Sequence, residues 1–399
     1  MTDSSVGRPR VLVVTNDFPP TLGGIQTYVR DYLATLSTQD AHVIVFASTQ
    51  DAAAAQAFDA QLPYTVVRWP TKVMLPTPAT ARKMAALIKE HQIDTVWFGA
   101  AAPLALLAPA ARRAGARRII ASTHGHEVGW SMFPGTRQIL RRIGDFVDCL
   151  TYVSHYARGR MMAAFGPNVA WEPMPGGVDT SLFRPDPGMR EELRGRYGVE
   201  KKKVIVAVSR IVSRKGQDTL VEAMPAVLAQ HPDAHLMLVG PGKMGIKLER
   251  RAQSLGVQGA VTVTGPVDFS ELPGHFCMGD VFALPVRTQL GGLSVEGLGI
   301  VFLEAQACGV ATIAGDGGGA PETVIDGQTG LVVSGREPGQ VAARINELLS
   351  DANLRNSLAE TGRKRVNDAW TWEVLRDQFL AVIHGRGMRP PQVAWNVPA

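Results

Sequence analysis

The chain has 399 residues, too many for one ordinary domain and enough for two of about 150–200 residues each. Apolar residues make up 45% and charged residues 19%, which excludes a disordered tail, and the glycines and prolines are scattered with no low-complexity tract or short repeat. A formal net charge of +5 is too small for a strong nucleic-acid footprint, so no nucleic-acid partner is expected.

In chain order, short β-rich apolar runs alternate with longer amphipathic stretches, the pattern of parallel sheets covered by helices on both faces. Strands are predicted over 11–15, 42–47, 65–68, 95–98, 118–122 and 150–153, with helices over 26–36, 80–92, 104–114 and 137–146. The pattern restarts with a strand over 204–208, a helix over 218–230, a strand over 235–239, a helix over 247–254 and strands over 261–264 and 281–285. A helix over 301–308 is stopped by Gly309, which can take the left-handed cap, and a strand over 311–314 follows. Further helices start near Gln340 and Asn353, the second continuing to Trp370, and an apolar-periodic piece follows Thr371. Between the halves, 172–188 is rich in proline and glycine and aperiodic, so it reads as the interdomain connection. The end of the chain, 386–399, reads as loose.

Three widely separated cysteines, Cys149, Cys277 and Cys308, suit neither a zinc site nor a disulfide framework and fit a reducing cytosol. Residues 1–10 lack the order of a signal peptide. The uncharged stretch 95–111 is barely long enough to span a bilayer, depends on alanine and contains Pro103 and Pro109; it divides into a strand, a turn and a buried helix. Basic residues gather at Arg112, Arg113, Arg117 and Arg118, and again at Arg137, Arg141 and Arg142. These are either solvated helix faces or a patch for anionic lipid headgroups.

Four constellations can carry chemistry. Strand 11–15 runs into Asn16-Asp17-Phe18-Pro19-Pro20 and then Gly23-Gly24 at the start of a helix, where free N–H groups suit a phosphate; the dinucleotide GxGxxG pattern is absent. Ser122-Thr123-His124-Gly125-His126-Glu127 ends another strand, placing His124 where its ring can meet a sugar hydroxyl or a developing charge. Arg210 and Lys215 flank the loop after strand 204–208 and can both turn to one anionic group. Glu296 precedes a loop containing Gly297 and Gly299, and Glu304 projects from the helix that follows. The backbone N–H groups of Gly299, Ile300 and Val301 can meet phosphate or sugar oxygens while both carboxylates accept from hydroxyls, so a diphosphate-bearing, diol-rich ligand satisfies every part.

Together, Gly23-Gly24, His124, Arg210 with Lys215, the Glu296-x7-Glu304 spacing and Trp370-Thr371-Trp372 resemble the retaining glycosyltransferases of family four. That resemblance implies an α/β GT-B fold: two Rossmann-like, doubly wound parallel-sheet domains facing a cleft, with the C-terminal helix crossing back to the first. It implies an acceptor-side domain over 1–173, joined by 373–399, a hinge over 174–186 and a nucleotide-sugar domain over 187–372. Longer stretches, among them Gly24-Ile25-Gln26, His124-Gly125-His126-Glu127-Val128-Gly129-Trp130 and the run from Arg287 to Glu304, resemble the branch that uses GDP-mannose to mannosylate phosphatidylinositol monomannoside.

On that resemblance Arg210 and Lys215 hold the donor diphosphate, Glu296 and the backbone at Gly299, Ile300 and Val301 the mannose, Glu304 the ribose, and the loop near Val267 the guanine. Base reading would be through backbone, which leaves uracil open. His124 faces the transferred sugar, and the Gly23-Gly24 loop closes on phosphate. The acceptor is a glycolipid at an anionic membrane surface, which puts the chain in the cytoplasm, peripheral on the inner face of the plasma membrane. No tightly bound cofactor and no metal ligand are expected, GDP-mannose being a substrate. The acceptor hydroxyl would attack from the face the phosphate leaves. The rival readings are another nucleotide-sugar donor or a soluble acceptor, a nucleotide-sugar epimerase or phosphorylase on the same architecture, and a non-catalytic binding protein. Two departures from the family pattern, Ala311 in place of a common proline and the helix-interrupting Leu272-Pro273-Gly274-His275, lie away from the proposed contacts.

Overall fold

The computed structural model describes residues 8–21 and 23–385; the expectation for 386–399 lies outside the described residues. Those residues divide into two compact units, one of 8–21, 23–176 and 372–385 and the other of 177–371.

The first unit is a seven-stranded, all-parallel sheet. Its strands are β1 (Arg10–Thr15), β2 (His42–Ala47), β3 (Thr65–Arg68), β4 (Thr95–Phe98), β5 (Arg118–Ser122), β6 (Cys149–Tyr152) and β7 (Ala170–Pro173), in the order β3-β2-β1-β4-β5-β6-β7. The direction of winding reverses between β1 and β4, so the loops leaving their carboxyl ends flank the crevice where open parallel sheets bind ligands. The β1 residues Leu12 and Val14 and the β4 residues Val96 and Phe98 have no exposed surface, which explains why these strands read as continuous apolar runs. The helix Trp372–His384 completes this unit: Phe379 lies 5.0 Å from both Tyr32 and Trp97, Arg118 Nε donates to the Val382 carbonyl at 2.6 Å, and Arg376 pairs with Asp40 at 2.5 Å.

The second unit repeats the plan with six parallel strands: β8 (Lys203–Val208), β9 (Ala234–Val239), β10 (Val261–Gly265), β11 (Val281–Leu284), β12 (Ala311–Gly315) and β13 (Leu331–Val333). Their order is β10-β9-β8-β11-β12-β13, and the winding reverses between β8 and β11. Both units are therefore Rossmann-like.

The structure adds helices at Ala52–Asp59, Glu127–Ser131, His155–Phe165 and Pro187–Tyr197, and the short edge strands β7 and β13, none of which the sequence pattern predicted. The aperiodic stretch 172–188 is shorter than expected, because β7 ends at Pro173 and a helix begins at Pro187. Leu272-Pro273-Gly274-His275 does not interrupt a helix; it opens Leu272–Cys277, with the proline in the first turn, where no N–H is needed.

Candidate active site

In the second unit the loops after β8 and β11 carry the charged groups. The strand β8 ends at Val208, and the chain turns through a 3-10 turn, Ser213–Lys215, to the helix Gln217–Gln230. Gly216 takes a left-handed conformation (φ 76°), and any side chain there would overlap the Pro285 carbonyl just beyond β11, so glycine is required for the two loops to meet. Lys215 is buried to 7% exposure and its Nζ lies 2.7 Å from Glu296 Oε2; Arg214 Nε approaches the same oxygen at 3.9 Å. The pair thus bridges the two sides of the topological switch point.

Arg287 fixes the two loops to each other. Its guanidinium meets Asp218 at 2.5 Å and donates to Thr219 Oγ1 at 2.7 Å, and its backbone N–H donates to the Arg214 carbonyl at 2.8 Å. Gly318, at φ 62°, packs on the Glu296 backbone, and the Gly319 N–H donates to the Glu296 carbonyl at 2.9 Å.

The helix Ile300–Ala307 starts at Gly299, which is left-handed (φ 90°), and no side chain caps it. Its first N–H groups are therefore open to an anion. A Cβ on Gly299 would come within 2.7 Å of the Phe302 ring. Glu304 lies on the second turn, half-buried, and burial pushes its carboxyl up to about 7 while the Lys215 charge pulls the other way. Val267 is half-buried in the loop after β10.

One expected pairing is not found in the loop itself. Arg210 is exposed and, although its carbonyl accepts from Gln217 Nε2 at 3.1 Å, its guanidinium makes no hydrogen bond or ion pair among the described residues, while Lys215 turns inward to Glu296 with Arg214 beside it. The 3-10 turn at Ser213–Lys215 rotates the two basic side chains of that stretch toward the β11 loop and leaves Arg210 behind at the strand end.

In the first unit the ligand-facing loops carry His124, Gly23 and Gly24. His124 Nε2 lies 2.7 Å from the Gly99 carbonyl at the end of β4, and its ring packs edge-on against Tyr28, 4.7 Å between centroids at 86°. Burial is the main influence, lowering the imidazole below its ordinary range; the Glu127 carboxylate and the Gly99 bond oppose it, and His126 reinforces it. Gly23 and Gly24 open the helix Gly24–Ala34, which has no side-chain cap, and Gln26 Nε2 donates to Asp17 Oδ1 at 3.1 Å. Burial raises the Asp17 carboxyl, with His126 and Glu127 acting in opposite directions.

Sequence reasoning missed Arg214, Asp218, Arg287, Asp17, Gln26 and Glu127. Asp17, Gln26, Glu127 and Arg287 stood in the stretches quoted above without a role of their own, and the Asp316-Gly317-Gly318-Gly319 run directly after β12 could have marked the close backbone approach to Glu296.

The C-terminal part, residues 189–365, matches the model of glycosyl transferases group 1, and residues 22–182 match that of glycosyltransferase family 4. Over 94% of its length the chain is 50% identical to the GDP-mannose-dependent monoacylated alpha-(1-6)-phosphatidylinositol monomannoside mannosyltransferase of Corynebacterium glutamicum, covering 97% of that protein. It is 51% identical to the GDP-mannose-dependent alpha-(1-6)-phosphatidylinositol monomannoside mannosyltransferase of Mycobacterium tuberculosis, over 94% of this chain and 98% of the relative. Among solved structures, Anabaena HepE in complex with UDP superposes with a TM-score of 0.78 at 20% identity, covering 94% of this chain and all of that one, a likeness of fold. With half of its residues identical along nearly the whole length of these enzymes, and with two parallel-sheet units of its own, the chain belongs to the family-four glycosyltransferases of the GT-B fold.

Proposed function

We propose that this chain is a retaining mannosyltransferase that moves mannose from GDP-mannose to the inositol headgroup of phosphatidylinositol monomannoside, forming an α-1,6 linkage. The identity to relatives bearing that activity in their names supports the donor and the acceptor. The observation that carries the chemistry is the Lys215–Glu296 pair at 2.7 Å, beside the uncapped start of Ile300–Ala307.

At the transition state, negative charge grows on the departing phosphate while the sugar becomes oxocarbenium-like, so preorganised cations and N–H groups give the largest stabilisation. Lys215 is already oriented by Glu296 and needs only to share its ammonium with the phosphate. Arg210, whose exposed guanidinium has no protein partner among the described residues, supplies the second cation to the diphosphate. The N–H groups of Gly299, Ile300 and Val301 line the other side, and Glu296 takes mannose hydroxyls through the carboxylate oxygen that Lys215 leaves free. Glu304 accepts from the ribose, and the loop at Val267 meets the guanine. His124 and the Gly23-Gly24 turn, on the acceptor-side unit, meet the transferred sugar and the phosphate. Residues 174–186 act as the hinge between the two units. The acceptor hydroxyl attacks from the face the phosphate leaves and gives its proton to that phosphate.

The acceptor is a lipid, and among the described residues no helix is long and apolar enough to cross a membrane. We assign a peripheral position on the cytoplasmic face of the plasma membrane. Supporting this, Met132, Phe133, Phe146 and Met162 are 40–55% exposed on or beside the helices that carry the exposed Arg137, Arg141, Arg142 and Arg160.

The test is to incubate purified protein with GDP-[14C]mannose and phosphatidylinositols carrying no, one or two mannoses. Label is expected on the monomannoside alone. Nucleotide binding with no labelled lipid would favour a binding protein, and altered sugar nucleotide without acceptor an epimerase; either result overturns the assignment.

A further inference from the structure

Glu127 has no solvent-exposed surface. It begins the short helix Glu127–Ser131, three residues after His124, in the loop beyond β5. Burying a carboxylate costs several kcal/mol unless its partners repay it, and here they do so only in part. Oε2 accepts the His124 backbone N–H at 3.0 Å. Oε1 has His126 Nε2 at 3.3 Å, but the two are not aligned, and Oε1 makes no hydrogen bond.

What it holds is His124. A carbonyl can only accept, so the 2.7 Å contact to Gly99 requires the proton on Nε2 and leaves Nδ1 a bare acceptor. The Gly99 backbone is itself fixed, its N–H donating to the Val14 carbonyl at 3.0 Å, and a Cβ there would crowd Thr15 at 3.0 Å. Tyr28 closes one side of the ring, and its hydroxyl donates to the Met174 carbonyl at 2.7 Å, which sets its own orientation. The imidazole is thus located at its ring by Gly99 and Tyr28 and at its main chain by Glu127. The titratable groups around it are Glu127, His126, Tyr28 and, through His126 and Glu127, Asp17.

We propose that Glu127 is a positioning residue: its tether to the His124 N–H holds the imidazole within reach of the Gly99 carbonyl, which selects the Nε2–H tautomer and leaves Nδ1 to accept a hydrogen bond from a sugar hydroxyl. This rests on the mannosyl-transfer reading in its catalytic part and is independent of that reading in its structural part.

The experiment uses the full chain labelled with 15N at histidine, with the His124 ring nitrogens identified by their loss in His124→Gln. In the wild type one protonated Nε2 and one bare Nδ1 are expected. Glu127→Ala is expected to average the two tautomers and to lower kcat about 100-fold, with KM for GDP-mannose moving less than about threefold. Glu127→Gln keeps an acceptor for the His124 N–H; it should retain the single tautomer and a kcat within about tenfold of wild type. A Glu127→Ala protein with an unchanged tautomer, or with wild-type kcat, overturns the proposal. If that variant does not fold, Glu127→Gln decides: a wild-type tautomer with kcat as low as in His124→Gln also overturns it. If the chain transfers no mannose at all, the activity assignment fails while the ring spectra still test the tether.

Discussion

Replacing Glu304 by glutamine should make the protein more stable and a poorer enzyme, in a way that depends on pH. Burial raises this carboxyl from 4.5 to about 7, against the pull of Lys215. A folded-state pKa above the unfolded one means that the folded form binds the proton more tightly. That stabilisation is complete below about 4.5 and is lost as pH rises through about 7, above which the folded chain carries a poorly hydrated charge. The gap between 4.5 and about 7, at about 1.4 kcal/mol per pH unit, gives an upper bound of about 3.5 kcal/mol. Glutamine has the same shape and never ionises, so Glu304→Gln should come within about 1 kcal/mol of the wild type near pH 5 and exceed it by up to about 3.5 kcal/mol near pH 8.5. Donor binding should move the opposite way. A hydrogen bond from a ribose hydroxyl to a carboxylate is worth about 1.5–3 kcal/mol, so the variant's KM for GDP-mannose should rise about 10- to 100-fold at pH 8.5. The wild-type donor affinity should improve as pH rises through about 7, and this dependence should vanish in the variant. Urea unfolding at pH 5 and 8.5 without nucleotide, with KM measured at both pH values, checks both arms. Equal stability of the two proteins at pH 8.5, or an unchanged KM, refutes the reasoning.

Lys215→Ala leaves Glu296 half-buried without its 2.7 Å partner, so it should destabilise by about 3 kcal/mol and lower transfer by more than about 1,000-fold. Arg210→Ala, which removes an exposed guanidinium without protein partners among the described residues, should cost less than about 0.5 kcal/mol of stability and still lower kcat about 100-fold; thermal melts alongside transfer assays separate the two variants. Gly299→Ala combines a left-handed φ of 90° with a Cβ at 2.7 Å from Phe302, so it should lose at least about 1–2 kcal/mol and weaken GDP binding measured by calorimetry. Phe133→Asp with Arg142→Glu should lower co-sedimentation with phosphatidylinositol vesicles more than tenfold at low salt, at about 1 kcal/mol per cation, and leave the melting temperature unchanged.

Strands β2, β4 and β5 were legible because all their residues but at most the first are buried, so each reads as a nearly continuous apolar, β-branched run; β3, a half-exposed edge strand, was legible from its Thr65-Val66-Val67 run. The missed elements lack that signature. In Ala52–Asp59 only Ala55 is buried, so there is no apolar stripe to read, and β7 is an edge strand ending in proline. His155–Phe165 buries Ala157, Met161, Ala164 and Phe165, which do stand at helical spacing, but polar and apolar residues alternate around them and blur it.

The site divides in the same way, and the division has a physical cause. Glu296, Lys215, Gly299 and Glu304 were legible because topology places them: strand ends and a helix start at a switch point are fixed by chain order alone. Which basic side chain turns inward was not, since Arg210, Arg214 and Lys215 all follow β8 and their directions depend on a turn whose geometry Gly216 sets against Pro285. Glu127 was the least legible. A carboxylate one residue beyond His126 reads as solvent-exposed charge, and only the folded loop shows it turned back onto the His124 N–H with no exposed surface. Chain order places the groups that bind charge. The groups that orient them are set by loop geometry, so the tether of His124 and the Arg287–Asp218 lock on the Lys215 loop can be found only in three dimensions.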